Sequence, residues 1–220
     1  MSVHPIGDAA RRYAQQGRHN VVLKPLEKAP KLKGWRENPA PPEAFQPEDN
    51  IGNALGVNGL CEVEGDCAEA IALMPLFLPP TNQIHGRKSR PRSHWWYVSD
   101  GPIETVRYRD PLDNSVLLEL RGDGVQTMMP PSRHPEGEEI VWYVNTGEPG
   151  NVDHRVLGHY VRRTVGASLL TRYWANGVRH DLALSLGGAL LRNGWSVDSA
   201  AGFVSAVATT AGDSDPEKSE

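Results

Sequence analysis

Apolar and polar positions change their spacing twice along this chain, and each change marks a different kind of element. Residues 8–14 form a short helix-favouring run closed by Gly17, and Asn20-Val21-Val22-Leu23 follows as a strand. Residues 27–50 set Lys28, Lys31, Lys33 and Arg36 among five prolines, which predicts an ordered loop with at most one short helix. Residues 51–64 are apolar and broken by Gly52, Gly56 and Gly59, predicting two short strands with a tight turn, and residues 66–78 predict a helix stopped by Pro79-Pro80. Segments 93–99, 103–109, 115–121, 125–129 and 139–144 are rich in Val, Tyr, Trp and Leu, and predict antiparallel meanders joined by hairpins. After Gly150 the apolar spacing becomes helical over 152–174, 178–191 and 197–211, as in Leu182, Leu186, Ala189 and Leu190. The expected fold class is therefore α+β: a body over 1–150, a helical C-terminal segment over 151–211, and a polar tail over 212–220 expected to be disordered.

Composition narrows the function classes. With Lys+Arg 23 against Asp+Glu 27 the net charge is −4, so bulk polycation binding to nucleic acid is excluded and any such binding must come from local patches. The longest apolar run is interrupted by Pro75 and falls far short of the roughly 20 residues of a membrane span, so no membrane association is expected. The start has neither a basic nor an apolar leader region, which makes a cytoplasmic protein the expectation. Cys61 and Cys67 fit neither a disulfide framework nor a zinc ribbon and read as ordinary thiols.

Three constellations carry candidate chemistry. In Leu60-Cys61-Glu62-Val63-Glu64-Gly65-Asp66, strand alternation sets Glu62 and Glu64 on one face about 7 Å apart, a placement that suits hard divalent cations and equally a solvated strand face. Residues 86–94 hold Arg87, Lys88, Arg90 and Arg92 without an acid and lead through Ser93 and His94 into Trp95-Trp96-Tyr97, a loop suited to a triphosphate or simply a basic surface. Glu119 lies between leucines beside a glycine turn, followed by Arg121 and then Pro130-Pro131-Ser132-Arg133-His134, and it could complete a three-acid site or lie on a wet edge.

In that order, the acidic strand Glu62-Val63-Glu64, the histidine of Arg92-Ser93-His94, the later acid Glu119 and the Pro-Pro-Ser-x-His segment resemble the bifunctional primase/polymerase branch of the archaeo-eukaryotic primase superfamily. Lys28-Ala29-Pro30 before Gly34-Trp35 and Asp66-Cys67-Ala68-Glu69-Ala70 are similar to the same family, and the likeness runs over residues 21–142. Gly177-Val178-Arg179-His180 and Gly194-Trp195 resemble the helical segment that often precedes a helicase in such proteins. The resemblance implies an RNA-recognition-like sheet with helices and a DNA primase/polymerase of phage, plasmid or mobile-element replication. It implies two Mg²⁺ or Mn²⁺ ions held by Glu62, Glu64 and Glu119, His94 on the incoming triphosphate, and Arg87, Lys88 and Arg121 neutralising its charge. Arg92 and Ser93 would belong to the same nucleotide loop, and Ser132 and His134 would shape the pocket wall.

The implied partners are a single-stranded DNA template, deoxy- or ribonucleoside triphosphates and a helicase. The family usually has aspartates where this chain has Glu62 and Glu64, and Asp66 continues the alternation, so the metal pair is either Glu62 with Glu64 or Glu64 with Asp66. A displacement of about 1 Å can cost roughly 100-fold in rate, which keeps a catalytically inactive nucleic-acid-binding initiator module as the alternative reading. A metal-dependent nuclease would leave the basic segment 86–94 unexplained.

Overall fold

The structure is a computed structural model that describes residues 4–175 and 177–213. The elements in chain order are α1 (Pro5–Gln15), β1 (Asn20–Leu23), β2 (Asn50–Ala54), β3 (Leu60–Gly65), α2 (Ala68–Phe77), β4 (Gln83–Arg87), β5 (Arg90–Ser99), β6 (Val106–Arg109), β7 (Val116–Arg121), β8 (Gln126–Met129), β9 (Val141–Asn145), β10 (Gly150–Val152), α3 (His154–Arg172), α4 (Arg179–Arg192) and α5 (Val197–Thr210). The mixed α+β architecture is thus as expected, and the proline-rich loop contains only a short 3₁₀ turn at Pro42–Ala44.

Seven strands make the main sheet, in the order β6-β7-β3-β5-β4-β9, with β10 parallel to the far end of β5. A smaller antiparallel sheet has the order β1-β2-β8. Alternation along β3 divides the molecule. Cys61 and Val63 face a core completed by Met74 of α2 and by Leu157 and Val161 of α3. On the opposite face, Trp96 of β5 joins Ile6, Ala10 and Tyr13 of α1, Val22, Ile51 and Met129 in a second core under the small sheet. Side chains two residues apart on a strand share a face, so Glu62 and Glu64 point the same way as Trp96 and sit at the edge of this second core.

The meander expectation fails between β7 and β8. These strands do not pair: β8 crosses to the small sheet as the partner of β2, and β9 returns to the edge of the main sheet beside β4. Gly122 permits the departure, because a Cβ there would strike the carbonyl of Ile103, and the crossing buries Met128 against Val21, Leu23 and Ala54 and Met129 in the core around Trp96. The basic segment 86–94, expected as a loop, is the end of β4 and the start of β5, a hairpin with an irregular register at Gly86. A Cβ on Gly86 would meet backbone atoms of Arg90 and Arg92, so a close strand approach that only glycine allows sets the aim of the following Ser93 and His94.

The helical segment begins at α3, which lies along α2 and reaches β7, while α5 packs on α2 and α3, and α4 rests on α5. Two arginines of this segment are engaged inside the fold. Arg163 lies 4.6 to 5.6 Å from the rings of Phe77, Trp195 and Phe203, and Arg172 binds Glu69, Asp110 and the Ser115 hydroxyl. Asp213, expected in the polar tail, accepts from Arg179 and the Trp174 indole; the rest of that tail, 214–220, lies outside the described residues. Among the described residues no helix is long and apolar enough to cross a membrane.

Candidate active site

Three adjacent strands, β7, β3 and β5, assemble the site through their register. Glu64 is the direct cross-strand neighbour of His94 on one side and of Glu119 on the other, and Glu62 stands opposite Arg121. All lie on the face that looks toward the small sheet. The Arg121 guanidinium reaches back over β3, its Nη1 2.8 Å from Glu62 Oε1 and 2.6 Å from Glu64 Oε2, and its Nη2 donates to the Gln126 carbonyl at 2.7 Å. His94 closes the cluster with Nδ1 3.4 Å from Glu62 and Nε2 3.7 Å from Glu64. Glu119 is gripped by Arg107 Nε at 2.5 Å, with Arg121 Nε 3.7 Å away.

A cavity of about 260 Å³ opens over this cluster. Glu64, Asp66, His94, Glu119 and Arg121 line it, and Lys28, Arg87, Arg90, Arg107, Ser93 and His134 also contribute to its wall. Asp66, one residue past β3, receives Arg90 Nη1 at 3.2 Å on Oδ1, while its Oδ2 is buried with no partner among the described residues. Glu62 is fully buried below the cavity, and its Oε2 likewise has no partner among them.

The electrostatics follow from this placement. Burial alone would raise the Glu64 pKa, but His94 and Arg121 outweigh it and hold the carboxyl down at about 2. Glu62 is also lowered, Arg121 and then His94 overcoming its burial. Burial works to lower the pKa of His94, and Glu64 and Glu62 overcome it, so the ring titrates above its ordinary value. Asp66 goes the other way: burial, then the Glu64 and Glu119 charges, push its pKa up to about 6. Such opposed shifts in neighbouring carboxyls are common at functional sites.

The donor set fits a divalent cation. Glu62, Glu64 and His94 place ligand-type atoms within 4.8 Å of one another, and the unpartnered Asp66 oxygen shares the cavity with Glu64 and Glu119. Hard carboxylate oxygens favour Mg²⁺ or Mn²⁺. A second donor group, Asp100, Asp153 and His154, is engaged in capping the N-terminus of α3.

Of the residues expected at the site, Glu64, Asp66, Arg87, Ser93, His94, Glu119, Arg121 and His134 share the cavity, with Glu62 beneath it. Arg87 is held there by Glu136 and Glu138. Lys88 and Arg92 are exposed and stand outside its wall. Ser132 is fully buried and outside it too: its hydroxyl accepts from the Ile51 N–H and donates to the Ile51 carbonyl, tying the Pro-Pro-Ser segment to β2. Sequence reasoning missed Arg107, whose only local signal is its place in a strand ahead of β7; its role comes from the β6–β7 register, which sets it opposite Glu119.

Residues 10–154 match the family described as Bifunctional DNA primase/polymerase, N-terminal. No curated protein matches the chain.

Proposed function

The chain belongs to the bifunctional DNA primase/polymerase family, whose match spans residues 10–154 and with it every residue of the cavity, and from that premise we propose that the cavity performs template-directed nucleotidyl transfer from nucleoside triphosphates in the replication of a phage, plasmid or mobile element. The observation that carries the reading is the juxtaposition of Glu64 with His94 and Glu119, beside the Asp66 carboxylate whose Oδ1 takes Arg90, at the floor of a cavity walled by cations.

In this reading Glu64, Asp66 and Glu119, with Glu62 beneath, hold two Mg²⁺ or Mn²⁺ ions. Such ions, when bound, make a primer 3′-hydroxyl more acidic and stabilise the departing pyrophosphate. His94, whose pKa Glu64 and Glu62 raise, faces the triphosphate as a hydrogen-bond donor, and Lys28, Arg87, Arg90 and Arg107 neutralise its charge from the wall. Arg121, together with His94, holds the carboxylates of Glu62 and Glu64 in place. Glu119 would be one of the residues holding a cation, and Arg107, which now pairs with it and is 58% exposed, stands where it could reach the nucleotide.

The test is primer extension and priming on a single-stranded template with Mn²⁺ or Mg²⁺ and labelled nucleotides. Glu64→Ala and Glu119→Ala are expected to abolish product, and absence of product across a broad metal and template screen would overturn the enzymatic reading. One observation favours a second reading, a nucleic-acid-binding module without catalysis: the Arg121 guanidinium already bridges Glu62 and Glu64. Metal-dependent nucleotide binding that is lost in His94→Ala supports the enzyme, and template binding indifferent to nucleotide supports the module.

A further inference from the structure

Behind His94, on the side away from Glu64, stands a second histidine that the proposed chemistry does not use. His85 on β4 is the cross-strand partner of His94 on β5, and the two rings stack with centroids 4.3 Å apart and planes 4° from parallel. His85 is fully buried. Its Nδ1 accepts the Trp96 indole N–H at 2.8 Å, and because an indole can only donate, the neutral ring carries its proton on Nε2. Trp142 meets the His85 ring edge-on at 5.4 Å, and Trp142 in turn donates to the Tyr13 hydroxyl, itself anchored on the Pro130 carbonyl. The ring is therefore held from several directions by rigid groups.

Burial, and then the neighbouring His94, push the His85 pKa well below its ordinary value. His94 therefore stacks against a flat, uncharged ring whose own orientation is fixed by Trp96 and Trp142.

We propose that His85 is a positioning residue for the nucleotide site: a clamped, flat plate that fixes the plane of the His94 ring so that it stays aligned with Glu62, Glu64 and the cavity. The inference rests on the proposed nucleotide role of His94 for its functional consequence but not for its structural one. Freeing one ring that must be ordered for binding weakens association by about three- to tenfold. Because the His94 contact would be present in both ground and transition states, the loss falls on KM for the nucleotide and leaves kcat nearly unchanged.

Three variants of the full chain separate the roles of the ring. His85→Phe keeps a flat ring without the acceptor, His85→Gln keeps an acceptor without the ring, and His85→Ala removes both. The readouts are nucleotide binding by calorimetry with Mn²⁺, the KM and kcat of primer extension, and the NMR signals of the His94 ring, which a stacked neighbour shifts by its ring current. Nucleotide affinity and the His94 ring-current shift near wild type in His85→Phe, with three- to tenfold weaker binding and a lost shift in His85→Gln and His85→Ala, support the proposal. Equal behaviour of His85→Phe and His85→Gln, or wild-type binding in His85→Ala, overturns it. If His85→Ala fails to fold, the contrast between the Phe and Gln variants decides. An enzyme without nucleotide binding would sink the functional reading, while the NMR contrast would still test the clamp.

Discussion

Replacing Asp66 by asparagine should stabilise the metal-free protein, against the usual direction of substitutions at a candidate ligand. Asp66 has a side chain 19% exposed, one oxygen on Arg90 and the other buried without a partner. Its pKa rises from an ordinary 3.8 to about 6, because burial and then the Glu64 and Glu119 charges oppose its ionisation. Between those two values the native state binds a proton that the unfolded chain does not, so stability falls as pH rises through this window. Above pH 6 the ionised Asp66 imposes its full penalty. About two pH units at roughly 1.4 kcal/mol each set a ceiling near 3 kcal/mol. Residual solvent access reduces that to an expected gain of about 1–3 kcal/mol for Asp66→Asn at pH 7.5. Asparagine keeps a carbonyl for Arg90 and carries no charge. Urea unfolding with a chelator present, at pH 7.5 and again at pH 4, measures it, and most of the gain should vanish at the lower pH. Adding Mn²⁺ should raise the wild-type midpoint more than that of the variant, since a cation that binds only the native state stabilises it. An Asp66→Asn protein less stable than wild type at pH 7.5, or one with the same gain at both pH values, would refute the reasoning.

Other outcomes follow from the same charges and contacts. Arg121→Met strands the fully buried Glu62 with only His94 for a partner and should cost about 3–5 kcal/mol, part of which Glu62→Gln in the same chain restores; unfolding of both single variants and the double closes that cycle. His94 has its folded pKa above the ordinary 6.5, so its pairing with the carboxylates contributes stability in full below about pH 6.5 and loses it as pH rises through the higher folded value. In His94→Gln that alkaline decline should disappear from the pH profile of the unfolding midpoint. Gly86→Ala forces a methyl against backbone of Arg90 and Arg92, and should lower stability by about 1–3 kcal/mol and weaken nucleotide binding together, because the same hairpin aims His94.

Much of this was legible along the chain. The period of two through Glu62 and Glu64, the prolines that stop α2, and the helical spacing after Gly150 are local, and local patterns survive whatever the rest of the fold does. They placed most of the elements, both cysteines as free thiols, and Glu62 and Glu64 on one face of a strand. The periodicity within each strand left open whether Glu119 joins the first two acids, and only the family resemblance tied them together, because Glu119 meets Glu64 through a strand register that spans more than fifty residues. Register is chosen by which faces bury the apolar side chains of both sheets at once, a condition no single segment expresses.

The same holds for the roles that changed. Arg121 had the look of a triphosphate ligand, and folding set it between two carboxylates it cannot leave without exposing a buried charge. Ser132 sits in a motif suited to a pocket wall, and the crossing of β8 to the small sheet buried it on Ile51. Arg107 and His85 drew no notice at all, since each acquires its meaning from the residue opposite: Glu119 for one, His94 for the other. The chain by itself determined which chemistry was available and on which face of each strand it would stand. Tertiary structure decided which charges meet, because pairing across strands depends on the packing of the whole sheet and not on the spacing within any one of them.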